Sequence, residues 1–109
     1  MPGEIRLKSS HLIISPDIVK EILNGISSVY VSYKEDQELL LLSPKENDWF
    51  PKLHKSIEFL LKDKDLLGTK SVAIREILID HDINASDREL QYAINEERRF
   101  VKILLKVDS

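Results

Sequence analysis

The residues best suited to chemistry are Asp80, His81 and Asp82, which place two carboxylates and an imidazole side by side. Oxygen and nitrogen ligands of this kind hold divalent cations when a turn converges them. Along an extended strand, however, Asp80 and Asp82 share one face while His81 points to the other. The sequence therefore favours a solvated turn over a metal site, and we expect no metal or other cofactor.

Nucleophilic and redox chemistry find no support elsewhere in the sequence. The chain has no cysteine, which excludes a thiolate nucleophile, a disulfide and a cysteine-based zinc site. His11 and His54 lie far apart, and His54 shares a predicted helical face with Phe50 and Ile57, which favours a packing role. No phosphate-binding loop, nucleophile elbow or dinucleotide fingerprint occurs. We therefore predict a protein that is not an enzyme.

Basic residues form only small groups, because 16 Lys and Arg face 19 Asp and Glu and the formal charge is −3. A surface that contacts phosphates usually needs clustered Lys and Arg. Lys102 and Lys106 share one face of a predicted strand and can meet a phosphate backbone, although such lysines more often solubilise a strand. The candidate nucleic-acid-binding residues are Arg6, Lys8, Lys20, Lys102 and Lys106.

Two apolar segments point to protein partners. Trp49 and Phe50 can form an exposed partner-binding anchor, but a hydrophobic cap over the sheet is the favoured interpretation. The run from Leu39 to Leu42 has too many consecutive apolar residues for an edge that faces water. We expect a homo-oligomer, a dimer or higher, with strands of both chains in one sheet.

The first 44 residues predict a strand, a helix and a hairpin. Residues 5–14 form the strand, and Ser15 followed by Pro16 predicts a capped helix start. Residues 29–33 are β-branched and aromatic, and a polar turn leads to the second arm at 39–42. Asn47 or Asp48 then caps a second helix, which a stripe at spacings of three and four extends to about residue 66. The stripe consists of Phe50, Leu53, Ile57, Leu60 and Leu61.

The last third of the chain leaves alternatives open. Residues 72–79 are either a strand that passes into a helix or a helix throughout. Residues 86–89 form a capping box, which argues for a helix over 86–98, whereas alternating apolar residues at 90–94 argue for a strand. We favour a hairpin that turns at 95–98 and ends in a strand over 101–107. A shift of 61 positions supports it, because it lays residues 31–36 over 92–97.

The first unit resembles the swapped-hairpin unit of the AbrB/MazE superfamily. The residues that carry the resemblance are Leu12 to Pro16, Ile18, Glu21 to Leu23, Val29 to Val31 and Leu39 to Pro44. Two such units separated by a helix look like the arrangement in MraZ-type proteins. The resemblance implies intertwined oligomers and a relative of DNA-binding regulators or antitoxins, although residues 8–11 lack the polar-basic pair with glycine and arginine that the family tends to carry.

A length of 109 residues fits a single domain. The predicted fold is α+β: a small β-rich domain of two β-α-β-β units, at 5–44 and 70–107, joined by a helix over 47–66 and intertwined in an oligomer. With no long apolar run, we expect a cytoplasmic protein without membrane contact. Two hypotheses remain: a DNA-binding transcriptional regulator or antitoxin-like protein, favoured by the basic strand, and a protein-interaction module that has lost DNA contacts, favoured by the acidic total.

Overall fold

The computed structural model describes residues 3–105, and within them nine strands form one antiparallel sheet that curls into a nearly closed barrel. Neighbouring strands follow the order β5-β3-β4-β9-β8-β1-β2-β7-β6. The strands are β1 (Ile5–Lys8), β2 (His11–Ile14), β3 (Ser28–Lys34), β4 (Leu39–Pro44), β5 (Ile57–Leu60), β6 (Lys62–Asp63), β7 (Lys70–Ala73), β8 (Arg88–Asn95) and β9 (Phe100–Leu104).

The helices are short, and those at 16–23 and 75–80 turn apolar side chains towards the barrel core. They are α1 (Pro16–Ile18), which continues as a π-helical stretch (Val19–Leu23), a 3₁₀ turn (Glu35–Gln37), α2 (Phe50–Leu53) and α3 (Arg75–Asp80). The Ser15 hydroxyl makes no cap hydrogen bond, contrary to the prediction, because it accepts the Glu4 backbone N–H at 2.9 Å instead. Ile22 and Leu78 are both buried in the main core cluster.

The run from Leu39 to Leu42 is buried within one chain. Leu40 and Leu42 point into the barrel, while Leu41 lies on the outer face beneath Phe50 and Phe100. Burial on both faces agrees with the sequence-based expectation. The run therefore no longer argues for a second subunit, because the chain itself covers it.

The predicted α+β fold of two β-α-β-β units joined by a helix is wrong. Only Phe50–Leu53 is helical in the segment 47–66, and the rest of it contributes β5 and β6. Residues 57–60 pair with β3, and Lys62 and Asp63 pair with β7. These pairings use the backbone groups of β3 and β7, so tertiary context overrides the helical spacing of the apolar residues.

The hairpin predicted over residues 86–98 is correct. Strand β8 pairs with β9, and the chain turns at 96–99. The capping box does not form, because Arg88–Asn95 is a strand and no helix begins there. The Asp87 carboxylate instead accepts the Ser9 backbone N–H at 3.0 Å. Residues 72–79 are a strand that passes into a helix, and the predicted strand residues 106 and 107 lie outside the described residues.

Residues that lie 61 positions apart exchange partners in two strand pairs. The exchanging pairs are Leu40–Ile103 and Leu42–Val101 between β4 and β9, and His11–Ala73 and Leu12–Val72 between β2 and β7. The hairpins β3–β4 and β8–β9 also share one register under this shift. If β5 and β6 are counted as one bent strand, two strands separate the pair β4–β9 from the pair β2–β7 in each direction around the barrel. These two strand pairs therefore lie on opposite sides of it. The chain thus has an approximate internal twofold arrangement.

Candidate nucleic-acid interface

A basic face lies on the outside of the neighbouring strands β1, β2, β7 and β6. Alternation turns Ile5 and Leu7 into the core and leaves Arg6 and Lys8 exposed. Cross-strand pairing places Arg6 in one row with Ile13, Ser71 and Lys62. We call Arg6, Lys8, His11, Lys62 and Lys64 the basic face.

A shallow cleft of about 240 Å³ runs across this face. Ammonium, hydroxyl and imidazole groups on its walls are all hydrogen-bond donors, and such groups contact phosphate oxygens in nucleic-acid complexes. The residues that line the cleft are Lys8, Ser9, His11, Ile13, Lys64 and Ser71.

The turn between β1 and β2 fixes the position of Lys8 and His11. Ser9 and Ser10 both have positive φ, at 49° and 63°, which is typical of a two-residue type I′ hairpin turn. The His11 Nδ1 lies 2.8 Å from the Ser9 carbonyl oxygen, which can only accept, so Nδ1–H is the donor. The Ile74 backbone N–H also donates to the Ser10 carbonyl at 3.1 Å. The turn is thus held from two strands.

Within residues 3–105 no salt bridge engages the cations of the basic face, although acids border it: Asp65 follows Lys64, and the Asp87 carboxylate accepts the Ser9 backbone N–H. Arg6, Lys8, Lys62 and Lys64 are exposed, and none lies within salt-bridge distance of an acidic side chain among residues 3–105. Glu89, the cross-strand partner of Arg6, borders the face without pairing. The arrangement leaves four cations available to an anionic ligand.

The other predicted nucleic-acid-binding residues are not brought to this face. Lys20 is exposed on the π-helical stretch after α1. Lys102 lies on the outer face of β9 as the cross-strand partner of Leu41, on the opposite side of the barrel from the β2–β7 pair. Lys106 lies outside the described residues. Of the five candidates, the structure brings only Arg6 and Lys8 together.

Sequence reasoning missed Lys62, Lys64 and His11 as members of this face. The helix predicted over 47–66 includes both lysines, whereas Lys62–Asp63 is a strand. Two signals could have revealed it: the strict alternation of lysine and aspartate over 62–65, and a turn signal from Asp65 to Gly68.

A second candidate surface surrounds Trp49 and Phe50. Phe50 is 0% exposed and stacks near Tyr30, Trp49 and Phe100, with ring centroids 5.6 to 6.4 Å apart. These four residues form an aromatic cap on the outer face of β3, β4 and β9. Phe50 has no exposed surface for a partner, in agreement with the favoured interpretation, whereas Trp49 remains half-exposed.

Polar contacts tie the aromatic cap to the β8–β9 turn. The Asn47 amide donates to the Ser43 hydroxyl and to the Arg99 carbonyl, both at 2.8 Å. The Arg98 guanidinium carbon lies 5.7 Å from the centroid of the Trp49 ring, within cation–π distance. Asn47, Trp49, Arg98 and Arg99 line an open cleft together with Glu97.

The two helix ends contact the hairpin turns through different chemistry. His81 stacks on Tyr33 with a centroid distance of 4.6 Å, and its Nδ1 lies 3.8 Å from a Glu35 carboxylate oxygen. At the other turn, a hydrogen bond with Glu96 raises the pKa of Glu21, with burial and the charge of Glu96 as further causes. Within residues 3–105, no three His, Asp or Glu side chains converge as metal ligands, so Asp80, His81 and Asp82 do not form a site there.

None of the helices within residues 3–105 has both the length and the apolar character needed to cross a lipid bilayer. Comparisons of this chain with protein-family models, with curated proteins and with solved structures found no match.

Proposed function

We propose that this chain is a non-enzymatic cytoplasmic protein that binds the phosphate backbone of DNA through the basic face. The supporting observation is the convergence of Lys8, Lys64, His11 and Ser71 on one cleft, next to the exposed cations Arg6 and Lys62. The resemblance of residues 5–44 to units of DNA-binding regulators points to the same ligand. A regulatory role in transcription is part of this proposal.

The physics of the proposed contact is the release of counterions. Each phosphate that a lysine or arginine neutralises displaces condensed cations, and log K falls with log salt by about 0.9 per contact. Four cations on one face therefore predict a slope of about −3.6 and a non-specific Kd on the order of 10⁻⁶ to 10⁻⁴ M at physiological salt. Sequence preference requires additional contacts to base edges, for which Arg6 is the best-placed side chain.

The test is a salt titration of binding to mixed-sequence duplex DNA, measured by fluorescence anisotropy. The double substitution Lys8→Ala with Lys64→Ala should weaken binding and make the slope shallower by about 1.8, since two phosphate contacts are lost. The matched control is Lys52→Ala with Lys55→Ala, which removes the same charge from exposed positions in and just after α2. The control should leave the slope within about 0.3 of that of the unchanged protein.

Absence of binding to the duplex at low salt would refute the proposal. Equal losses in the two double variants would also count against it, because bulk charge rather than the basic face would then be responsible. Circular dichroism of both variants shows whether the substitutions preserve the strand content.

A protein-interaction module is the second candidate function. The half-exposed Trp49, stacked under Arg98 beside an open cleft, favours it, because tryptophan and arginine are the residue types most enriched in interface hot spots. Trp49→Ala should abolish capture of a protein partner while leaving DNA binding unchanged. Loss of DNA binding with Trp49→Ala would contradict a separate protein surface.

A homo-oligomer also remains a prediction, although the leucine run of β4 no longer supports it. Light scattering at micromolar concentration decides the matter, because the chain mass is 12.6 kDa. A dimer would return twice that mass, and a value of 12.6 kDa would refute the oligomer.

A further inference from the structure

The loop between β6 and β7 carries two adjacent leucines that contact little of the protein. Leu66 is 105% exposed and Leu67 is 79% exposed relative to the reference state of each side chain. Apolar side chains of this size gain free energy when they leave water, so two neighbouring ones at a loop tip are suited to enter an apolar environment. The fold does not supply that environment.

Hydrogen bonds hold the loop in one shape. The Asp65 carboxylate accepts the backbone N–H groups of Leu67 at 2.9 Å and Thr69 at 3.2 Å. Lys64 donates its backbone N–H to the Thr69 carbonyl at 2.9 Å, and Gly68 adopts a φ of 99° that side chains rarely tolerate. The leucines are therefore presented on an ordered turn, which lowers the entropic cost of inserting them.

The same hairpin contributes to the basic face. Lys62 and Lys64 precede the leucines on β6 and the start of the loop, and Lys64 lines the cleft with Lys8. Asp63 is engaged by Lys70, so it does not oppose the approach of phosphates in the way a free carboxylate would. Lys62 and Lys64 are the cations next to the tip, and Arg6 and Lys8 lie further along the same outer face, towards the β1–β2 turn. An apolar tip at one end of a row of cations is complementary to a ligand with anionic edges and an apolar interior.

We infer that Leu66 and Leu67 insert between base pairs of the bound duplex and kink it, while the basic face holds the flanking phosphates. This inference rests on the proposed DNA binding. Leucine is among the side chains that enter the minor groove as wedges between base steps, and unstacking one step is offset by the contacts that the bend allows. Pyrimidine–purine steps such as TA unstack most readily, so they are the expected insertion sites.

The experiment measures energy transfer between dyes at the two ends of a short duplex with a central TA step. A second duplex carries a stiff A-tract in the same place. The unchanged protein should bend the TA duplex and bind it about tenfold more tightly than the A-tract duplex. Leu66→Ser with Leu67→Ser should abolish both the bend and the preference, yet leave the salt slope unchanged because no cation is removed.

The matched control is Ile79→Ser, which also replaces an exposed apolar side chain by serine, but on α3, where Ile79 is 66% exposed. It should retain both the bend and the preference. If the leucine double variant bends the TA duplex as well as the unchanged protein does, the inference is overturned while the proposed DNA binding stands.

Two further outcomes separate this inference from the proposed function. If the lysine double variant and the leucine double variant both bound DNA as tightly as the unchanged protein, the proposed function itself would be overturned. Leucine-dependent binding to vesicles of anionic lipid, without bending of the duplex, would overturn the insertion into DNA and assign the loop to a membrane surface instead.

Discussion

The hairpins β3–β4 and β8–β9 have the same internal register, yet their outer faces are covered to different extents. On the first hairpin, Tyr30 and Leu41 lie under Phe50 of the aromatic cap. On the second, Phe100 of β9 joins the same cap, but the outward side chains of Gln91 and Ala93 on β8 are exposed. The difference shows that strand pairing and inward apolar side chains are enough to repeat the geometry, whatever side chains the outer surfaces carry.

The strands that precede the two halves differ as well. The same residues of β1, Ile5 to Leu7, pair with β2 on one side and with β8 on the other, so β1 is one unbroken inner strand of the sheet. Its counterpart is divided into β5, which pairs with β3, and β6, which pairs with β7. The division falls at the buried Leu61, whose backbone N–H donates to the Ser27 carbonyl at 2.9 Å. Beyond this bend, β6 pairs with β7, and the β6–β7 hairpin holds both Lys62 of the basic face and the two exposed leucines of the loop.

Removal of the aromatic cap is expected to have the largest effect on stability. Phe50→Ala should lower the free energy of unfolding by about 3–5 kcal/mol, because it leaves a cavity beneath Tyr30, Trp49 and Phe100. Urea unfolding followed by tryptophan fluorescence measures the change. Leu53→Ala is the control, since Leu53 is 63% exposed and should cost less than about 0.5 kcal/mol. Equal costs would mean that the cap contributes no packing energy.

The link between the cap and the second half comes next in size. Asn47→Ala removes hydrogen bonds to the Ser43 hydroxyl and the Arg99 carbonyl and should cost about 1–2 kcal/mol. Asn24→Ala serves as the control, because Asn24 is exposed beyond the π-helical stretch. Thermal unfolding of both variants gives the comparison. A loss no larger than that of the control would show that the two halves hold together without this bridge.

The same contrast explains how much of the structure the sequence could predict. Local signals found the hairpin β3–β4 and the helix start at Pro16, because alternation and turn residues act over short distances. The hairpin β8–β9 needed the 61-residue repeat as well, because a capping box competed with the alternation. Local signals failed over 5–14, predicted as one strand, because positive φ at Ser9 and Ser10 turns the segment into the hairpin β1–β2. They also failed over 47–66, where a helical spacing of apolar residues was overridden by pairing with β3 and β7. Nothing local indicates that Ile57 lies beside Val31.

The candidate site was only partly predictable for the same reason. Arg6 and Lys8 could be identified because they alternate on one strand. Lys62 and Lys64 join them only through the pairing of β1 with β2, β2 with β7 and β7 with β6, which are contacts between distant parts of the chain. Lys102 was assigned to the same function, but the sheet order places it on the other side of the barrel.

The aromatic cap also predicts a dependence of stability on pH. Burial, with a contribution from Lys34, lowers the pKa of His54, whose ring lies 4.8 Å from the Phe50 ring. The unfolded chain therefore binds a proton more readily than the folded one, and stability should fall as pH drops through about 6.5. His54→Phe should remove this loss between pH 7 and pH 5. An NMR titration of the imidazole checks the direction, and a midpoint above 6.5 would contradict it.

The smallest expected effect distinguishes the two helix–turn contacts. A hydrogen bond with Glu96, followed by burial and the charge of Glu96, raises the pKa of Glu21 above 4.5. The folded state thus holds a proton that the unfolded state has lost, so this contact stabilises the fold in acid and ceases to do so as pH rises through the raised value. Glu21→Gln should match the unchanged protein near pH 4 and exceed it in stability at pH 7.

The equivalent substitution at the other turn should act in the opposite direction. The Glu35 carboxylate lies 3.8 Å from the His81 imidazole, whereas Glu21 faces a second carboxylate. Both Glu35 and His81 are partly or largely exposed. Glu35→Gln should therefore lower stability by at most about 0.5 kcal/mol. Thermal unfolding of both variants at pH 7 measures the comparison: Glu21→Gln should be more stable than the unchanged protein, and Glu35→Gln should not be. An equal gain in stability in both variants would mean that the two contacts do not differ in their electrostatics.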